Sequence, residues 1–285
     1  MKKKKFSPGL LIAYIVLIFW ALTTIFPLAW SIMNSFKDKK IIYQNSFSLP
    51  VGAAFSMDNY RNIFQNYNVL SAYRNSFIIS GTVAFAVILF AGMAAYALTR
   101  YKFPGKKMLT GLLYAGMMFP VFSTIIPVLR MQASWGIVNT PYVPLNLLSV
   151  ILPQIAGNMS FAIIVLSNYI QSIPIELEEA ASMEGCSPQK IYFKIVRPLC
   201  RPSFVTVGIF SFLWSYNDLF TQMFFLRTKD NWAITILLNN IASKEGVNYG
   251  ALFSSVTLIV IPVLLVYLVL NKYIIKGMTV GAVKG

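Results

Sequence analysis

From Gly9 to Phe36 the chain runs for roughly 28 residues without a charged side chain. Few structures accommodate such a stretch: about 20 apolar residues in a helix cross a hydrocarbon layer about 30 Å thick, with every backbone group bonded internally. Lys2 to Lys5 precede it in the manner of a secretory leader. A leader's apolar region has only about 7 to 15 residues, so a retained span is expected. Five more apolar stretches follow, giving six expected transmembrane helices at about 9–33, 74–98, 107–129, 147–170, 203–225 and 250–272. The expected fold is therefore an all-α integral membrane protein with both termini on one side. If that side is cytoplasmic, it carries fifteen of the 24 Lys and Arg residues, as the positive-inside rule favours. Lys37, Lys39 and Lys40 oppose it.

Composition narrows the function. The chain is 57% hydrophobic and 12% charged, with a mean hydropathy of +0.65, far from the soluble average of about 25% charged. The net charge of +15 comes without any basic-aromatic module on a soluble core, so nucleic acid is not an expected partner. There is no histidine, and Cys186 and Cys200 form no C-x-x-C pair, so neither a metal site nor a catalytic residue is expected. Acidic residues are nearly absent from the spans, which leaves few groups for a proton relay. A transporter of this composition draws its energy from elsewhere. A secondary transporter would carry ionisable groups deep in its spans or inverted repeats, and neither is evident.

Between the first two spans, about 34–73, the run MDNYRNIFQNYNVL places Tyr60, Ile63 and Phe64 at helical spacing, as in an interfacial helix. YKFPGKK, residues 101–107, forms a tight turn whose basic groups suit lipid headgroups. Pro120, Pro127, Pro153 and Pro262 fall within spans and predict kinks. The fifth span carries the polar cluster Trp214, Ser215, Asn217, Asp218 and Gln222. At about 1.5 Å per residue from Ser203, Asp218 lies roughly 22 Å along the helix. It reads either as a pathway-lining or gating group, with Trp214 and Asn217, or as a helix cap.

The one long polar interval is PIELEEAASMEGCSPQKIYFKIVRP, residues 174–198. Pro174 with Glu176, Glu178 and Glu179 suits the start of a helix and its positive dipole end. Ile173, Leu177, Ala180, Ala181 and Glu184 then share one face, narrow at the alanines. Gly185 supplies a left-handed turn, and Ser187 with Pro188 caps and opens a second helix. In that second helix Ile191, Ile195 and Leu199 recur every fourth residue as the apolar face, beside a basic stripe of Lys190, Lys194, Arg197 and Arg201. Two short amphipathic helices joined by a bend at a membrane surface suggest a docking element.

Glu179, Ala180, Ala181, Gly185, Ile195 and Pro198 stand at the spacing of the EAA motif, and the segment resembles the cytoplasmic loop of ABC importer permeases, with Glu184 where Asp is frequent and Arg197 where Leu is common. The C-terminal GMTVGAVKG, residues 277–285, is similar to that of the carbohydrate, MalG-like subfamily, as are Ser35 with Lys37, Asn59 with Tyr60, Asn75 with Ser76 and Trp214 with Asn217. The resemblance implies a type I ABC importer permease fold in the bacterial cytoplasmic (inner) membrane, importing a sugar or oligosaccharide. A non-sugar solute is the alternative. It implies a second, different and MalF-like permease subunit, an extracellular or periplasmic solute-binding protein, and two ATP-binding cassette subunits that hold the ATP and Mg; this chain itself would bind no cofactor. Glu179, Ala180, Ala181, Met183, Glu184, Gly185, Ser187, Pro188, Ile195 and Pro198 would couple to the ATPase, and Thr279, Gly281, Lys284 and Gly285 would touch it through the tail. The implied division is a basic tail 1–8, a first helix with external segment 9–73, a core 74–272 with the coupling loop 171–202, and a tail 273–285.

Overall fold

The structure is a computed structural model that describes residues 8–138, 140–245 and 248–282, all helix and connection with no strand among them. In chain order the α-helices are α1 (Pro8–Ser35), α2 (Lys39–Gln44), α3 (Asp58–Asn66), α4 (Val69–Arg100), α5 (Lys106–Met118), α6 (Val121–Ser134) and α7 (Val143–Gln171). They continue with α8 (Glu176–Met183), α9 (Pro188–Ile191), α10 (Arg197–Leu199), α11 (Arg201–Asn217), α12 (Leu219–Phe225), α13 (Ile234–Glu245) and α14 (Tyr249–Ala282).

Among the described residues four helices are long and apolar enough to cross a membrane: Gly9–Ser35, Val69–Arg100, Val143–Gln171 and Tyr249–Val269. The expected third span is not one straight helix, because α5 and α6 meet at 104° across Phe119 and Pro120. Pro120 has no N–H to continue the ladder and pushes the residue before it to extended backbone, and Phe119 has ψ 123°. Counted as one bent crossing, this pair raises the number to five. The expected fifth span is also interrupted. Helix α11 has 17 residues and ends at Asp218, whose ψ of 90° starts α12 afresh. Pro127, Pro153 and Pro262 lie inside α6, α7 and α14.

The chain forms two compact units: residues up to Asn68 with Leu238–Pro262, and Val69–Leu237 with the chain from Val263 onward. In the first, Lys37 is fully buried. Its Nζ donates to Asn34 Oδ1 at 3.1 Å and to the Ser46 carbonyl at 3.1 Å. Burial lowers its pKa from the ordinary lysine value. Around it the polar pairs noted in the sequence meet: Ser35 Oγ and Tyr60 Oη are 2.7 Å apart, and Asn59 Nδ2 donates to the Ser35 and Lys37 carbonyls at 3.1 and 2.9 Å. They staple α3 to the end of α1.

In the second unit α4, α7 and α11 pack around a continuous core. The buried face of α4 is rich in small residues, including Ala72, Ser76, Ser80, Ala84, Ala91, Gly92 and Ala95. Small side chains let helices approach closely where lipid offers no hydrophobic drive for association. Gly92 is the tightest point, since a Cβ there would stand 2.4 Å from Tyr192 Oη and 2.5 Å from the Phe204 ring. Asn75 and Ser76 fasten the 230–234 segment: Asn75 Nδ2 donates to the Asp230 and Trp232 carbonyls at 3.1 and 3.2 Å, and the Ile234 N–H donates to Ser76 Oγ at 2.9 Å.

Candidate functional site: the docking loop

The loop between α7 and α11 follows local rules for most of its length. Three glutamates occupy the first turn of α8, where the helix dipole favours negative charge; the helix begins two residues beyond Pro174. It ends in a Schellman motif, with the Gly185 N–H donating to the Ser182 carbonyl at 3.0 Å and the Cys186 N–H to the Ala181 carbonyl at 3.0 Å. Gly185 sits at φ 78°, as the motif requires. Ser187 then caps α9, its Oγ accepting from the Lys190 N–H at 3.4 Å, with Pro188 in the first turn.

What fastens α8 is an ion pair that the sequence does not advertise. Glu178 is buried, and its Oε1 accepts from Arg100 Nε at 2.6 Å while its Oε2 accepts from Tyr96 Oη at 2.9 Å. Arg100 also donates through Nη2 to the Ile173 carbonyl at 2.8 Å. One guanidinium at the end of α4 thus holds both the side chain of α8 and the backbone that leads into it. Its fork geometry suits such a double grip. The Tyr96 ring packs on Tyr192 at 5.3 Å. Cys200 is fully buried nearby, and burial pushes its thiol up to about 12.

With Glu178 inward, the faces of α8 differ from the expected ones. Ile173 and Ala181 are buried with Glu178, whereas Leu177, Glu179, Ala180 and Glu184 are exposed, and Met183 is 89% exposed. The two alanines therefore divide, Ala181 inside and Ala180 outside. The second helix corrects the sequence reading more sharply. Ile191 is buried, but Ile195 is half-buried and Leu199 is 48% exposed; Tyr192, Val196 and Cys200 complete the inner face instead. The cause is a π-helical stretch at Tyr192–Val196, where the Arg197 N–H reaches back five residues to the Tyr192 carbonyl. Pro198 has no N–H for a regular turn, and the widened turn shifts the register by one residue. Pro198, Ser187 and Pro188 are exposed.

The polar cluster of the fifth stretch splits into two roles. Asp218 is half-buried, caps α12 by accepting from the Thr221 N–H at 3.0 Å, and accepts from Gln154 Nε2 of α7 at 2.9 Å. The chain of bonds continues from Ser215 Oγ to Gln154 Oε1 at 2.6 Å, from Gln222 Nε2 to the Ser215 carbonyl at 2.7 Å, and from Thr235 Oγ1 to Gln222 Oε1 at 2.8 Å. Trp214 and Asn217 are exposed instead, with the Trp214 ring 4.9 Å from Phe161 and 6.1 Å from Phe210. Of the tail residues, Lys284 and Gly285 lie outside the described residues, as do Lys2 to Lys5, and Thr279 and Gly281 are described only as helical backbone of α14. Among the described residues no cluster of three metal-ligating side chains occurs.

This arrangement of bent and continuous apolar helices, with a polar helical loop between α7 and α11, is a type I ABC importer permease fold. A chain of a bacterial ABC transporter involved in the import of the acidic polysaccharide alginate superposes with a TM-score of 0.80 at 20% identity, covering 95% of this chain and 99% of that one. Residues 87–280 match the family model described as binding-protein-dependent transport system inner membrane component, and the chain belongs to that family. Two similar relatives are the diacetylchitobiose uptake system permease protein NgcG of Streptomyces coelicolor and the trehalose transport system permease protein SugB of Mycobacterium tuberculosis. The first is 32% identical over 95% of this chain and 87% of its own length. The second is 30% identical over 91% of this chain and 92% of its own.

Proposed function

We propose that the chain is one permease subunit of an ATP-driven, binding-protein-dependent importer of a sugar or oligosaccharide, seated in the bacterial cytoplasmic membrane as a multi-pass protein. The observation that carries this reading is the two-sided character of α8: its inner edge is fastened to α4 through Glu178 and Arg100, while Leu177, Ala180 and Met183 stand exposed on the other side. An ATP-binding cassette subunit seats on that exposed face, with Glu179, Glu184 and the Gly185 bend at its edge and the tail residues Thr279, Gly281, Lys284 and Gly285 beside it. ATP and Mg act in that partner, and no chemistry falls to this chain. Closure of the partner dimer displaces α8. The ion pair passes the displacement to α4, and the second helix of the loop, residues 188–199 and here called the return helix, passes it to α11, so alternating access needs no titrating group here.

Six crossings with both termini cytoplasmic are proposed, α5 with α6 forming one bent crossing and α11 with α12 another. The excess of basic residues on that side supports the orientation. Trp214, with Phe161 and Phe210, offers an aromatic platform beside the Asn217 amide, a combination suited to the apolar face and hydroxyl edge of a sugar ring; Asp218 fixes the turn that presents them. A second, different permease subunit completes the pathway, and a solute-binding protein delivers the cargo. The sugar class is supported by the diacetylchitobiose and trehalose systems to which the similar permeases belong.

The test is affinity purification of the chain from its own membrane. ATP-binding subunits are expected with the wild type, and Glu179→Lys or Met183→Asp is expected to reduce their retention about tenfold or more. A wild-type preparation with no ATP-binding subunit overturns the docking reading. A companion binding protein whose melting no mono- or oligosaccharide raises overturns the sugar reading.

A further inference from the structure

The basic stripe of the return helix is not spent on the acids of α8. Among the described residues neither Arg197 nor Arg201 meets a carboxylate, since the ion pairs there are Arg61 with Asp58 and Arg100 with Glu178. Both arginines instead edge an open groove of about 420 Å³ lined also by Ile88, Phe193, Phe204 and Val205. The Arg197 guanidinium lies 5.9 Å from the centre of the Phe193 ring, which holds it over an apolar surface. No acidic residue lines the groove.

The groove is polarised along its length. Arg197 and Arg201, four residues apart, stand at one end, where α11 begins. Ile88, on the spanning part of α4, lines the same groove and packs at the level of Gly208, seven residues further along α11 than Arg201 or about 10 Å of helix rise. The cleft therefore runs from the loop into the depth occupied by the spanning part of α4. A soluble anion would use only the charged end. A molecule with an anionic head and a hydrocarbon tail matches both.

We propose that this groove binds an anionic phospholipid, its phosphate between Arg197 and Arg201 and an acyl chain laid along Ile88, Phe204 and Val205. Charge complementarity argues for it: a phosphate accepts from both guanidinium forks, and basic pockets beside spanning helices collect anionic headgroups from a negatively charged leaflet. The register of the return helix makes the pocket possible. The π-helical stretch turns Tyr192 and Val196 into the core and leaves Phe193 and Arg197 facing out. This inference requires only that the chain spans a membrane; it is independent of the cargo and of the ATPase.

Phosphatidylglycerol and phosphatidylcholine are the probes, titrated into the delipidated, purified complex and counted by native mass spectrometry. Wild type is expected to retain at least one phosphatidylglycerol more than it retains phosphatidylcholine. Arg197→Gln with Arg201→Gln is expected to weaken that retention about tenfold or more, whereas Lys190→Gln with Lys194→Gln, outside the groove, leaves it unchanged. Val205→Trp keeps both charges and fills the apolar end, and it too is expected to release the lipid. Equal retention in the arginine double variant and the wild type overturns the proposal. So does displacement of the lipid by millimolar inorganic phosphate, which marks a free-anion site, or loss of the companion ATPase with the lipid retained, which marks a protein contact.

Discussion

Removing the guanidinium of Arg100 tests the attachment of α8 most directly. Its side chain is 11% exposed and that of Glu178 is 8% exposed, so the pair counts as buried and its loss is not softened by water. Arg100→Met strands a carboxylate whose remaining donor is Tyr96 and frees the Ile173 carbonyl. Breaking a buried pair in this way costs about 3 to 5 kcal/mol. The chain contains two cysteines, so in a Cys186→Ser background Cys200 is the sole thiol, and it is fully buried against this assembly. With its pKa near 12 it is also protonated while the loop is closed, so a maleimide reports the opened state alone. At about 1.4 kcal/mol per decade, a loss of about 3 kcal/mol accelerates Cys200 labelling about 100-fold. Glu178→Gln keeps the shape and an acceptor, and its acceleration is about tenfold. Arg100→Met with Glu178→Met removes both charges together and is labelled more slowly than Arg100→Met alone. A rate within about twofold of the reference in Arg100→Met, or a double variant labelled as fast as the product of the singles, refutes the latch.

Two smaller effects follow from the same geometry. A Cβ on Gly185 meets nothing within 4 Å, so Gly185→Ala is expected to cost only the left-handed backbone term of about 1 to 2 kcal/mol, whereas Gly185→Pro also removes the N–H bonded to Ser182 and forbids φ 78°; hydrogen exchange of the Cys186 amide and of the α8 backbone reads the difference. Asp218→Asn keeps an acceptor for the Thr221 N–H but turns an amide donor toward Gln154 Nε2, so it is expected to lose the Gln154 bond and about 1 kcal/mol of detergent stability, while Asp218→Ala loses both the cap and that bond for about 2 kcal/mol.

The legible parts of the loop were those set by neighbours in sequence. Gly185, Ser187 and Pro188 occupy their turn and cap positions because the φ preference of glycine, a hydroxyl acceptor and a missing N–H act within one turn of helix. Glu178 was not legible. Nothing local distinguishes it from Glu176 and Glu179, and its burial depends on Arg100, 78 residues away. The inner face of the return helix was misread because a period of four fails where Pro198 forces a wider turn. The third apolar stretch likewise carried a proline that announced a kink, but the 104° bend depends on what α5 and α6 pack against. Asn59, Asn75 and Ser76 were visible only as a likeness, and Tyr60 otherwise only as one face of a short helix; their hydrogen bonds supply the physical reason, each closing a long-range junction that hydropathy does not encode.

The hydrogen that serves as the side chain of Gly92 sets how close the return helix stands to α4. Tyr192 and Phe204 already occupy the volume that a methyl group would need, so residues 92, 192 and 204 form a single steric unit distributed over three helical segments. Drift at any one of them is constrained by the other two. A relative with alanine or serine at the first position must give up volume at one of the aromatic positions, or carry the segment around its Tyr192 equivalent at a greater distance from α4.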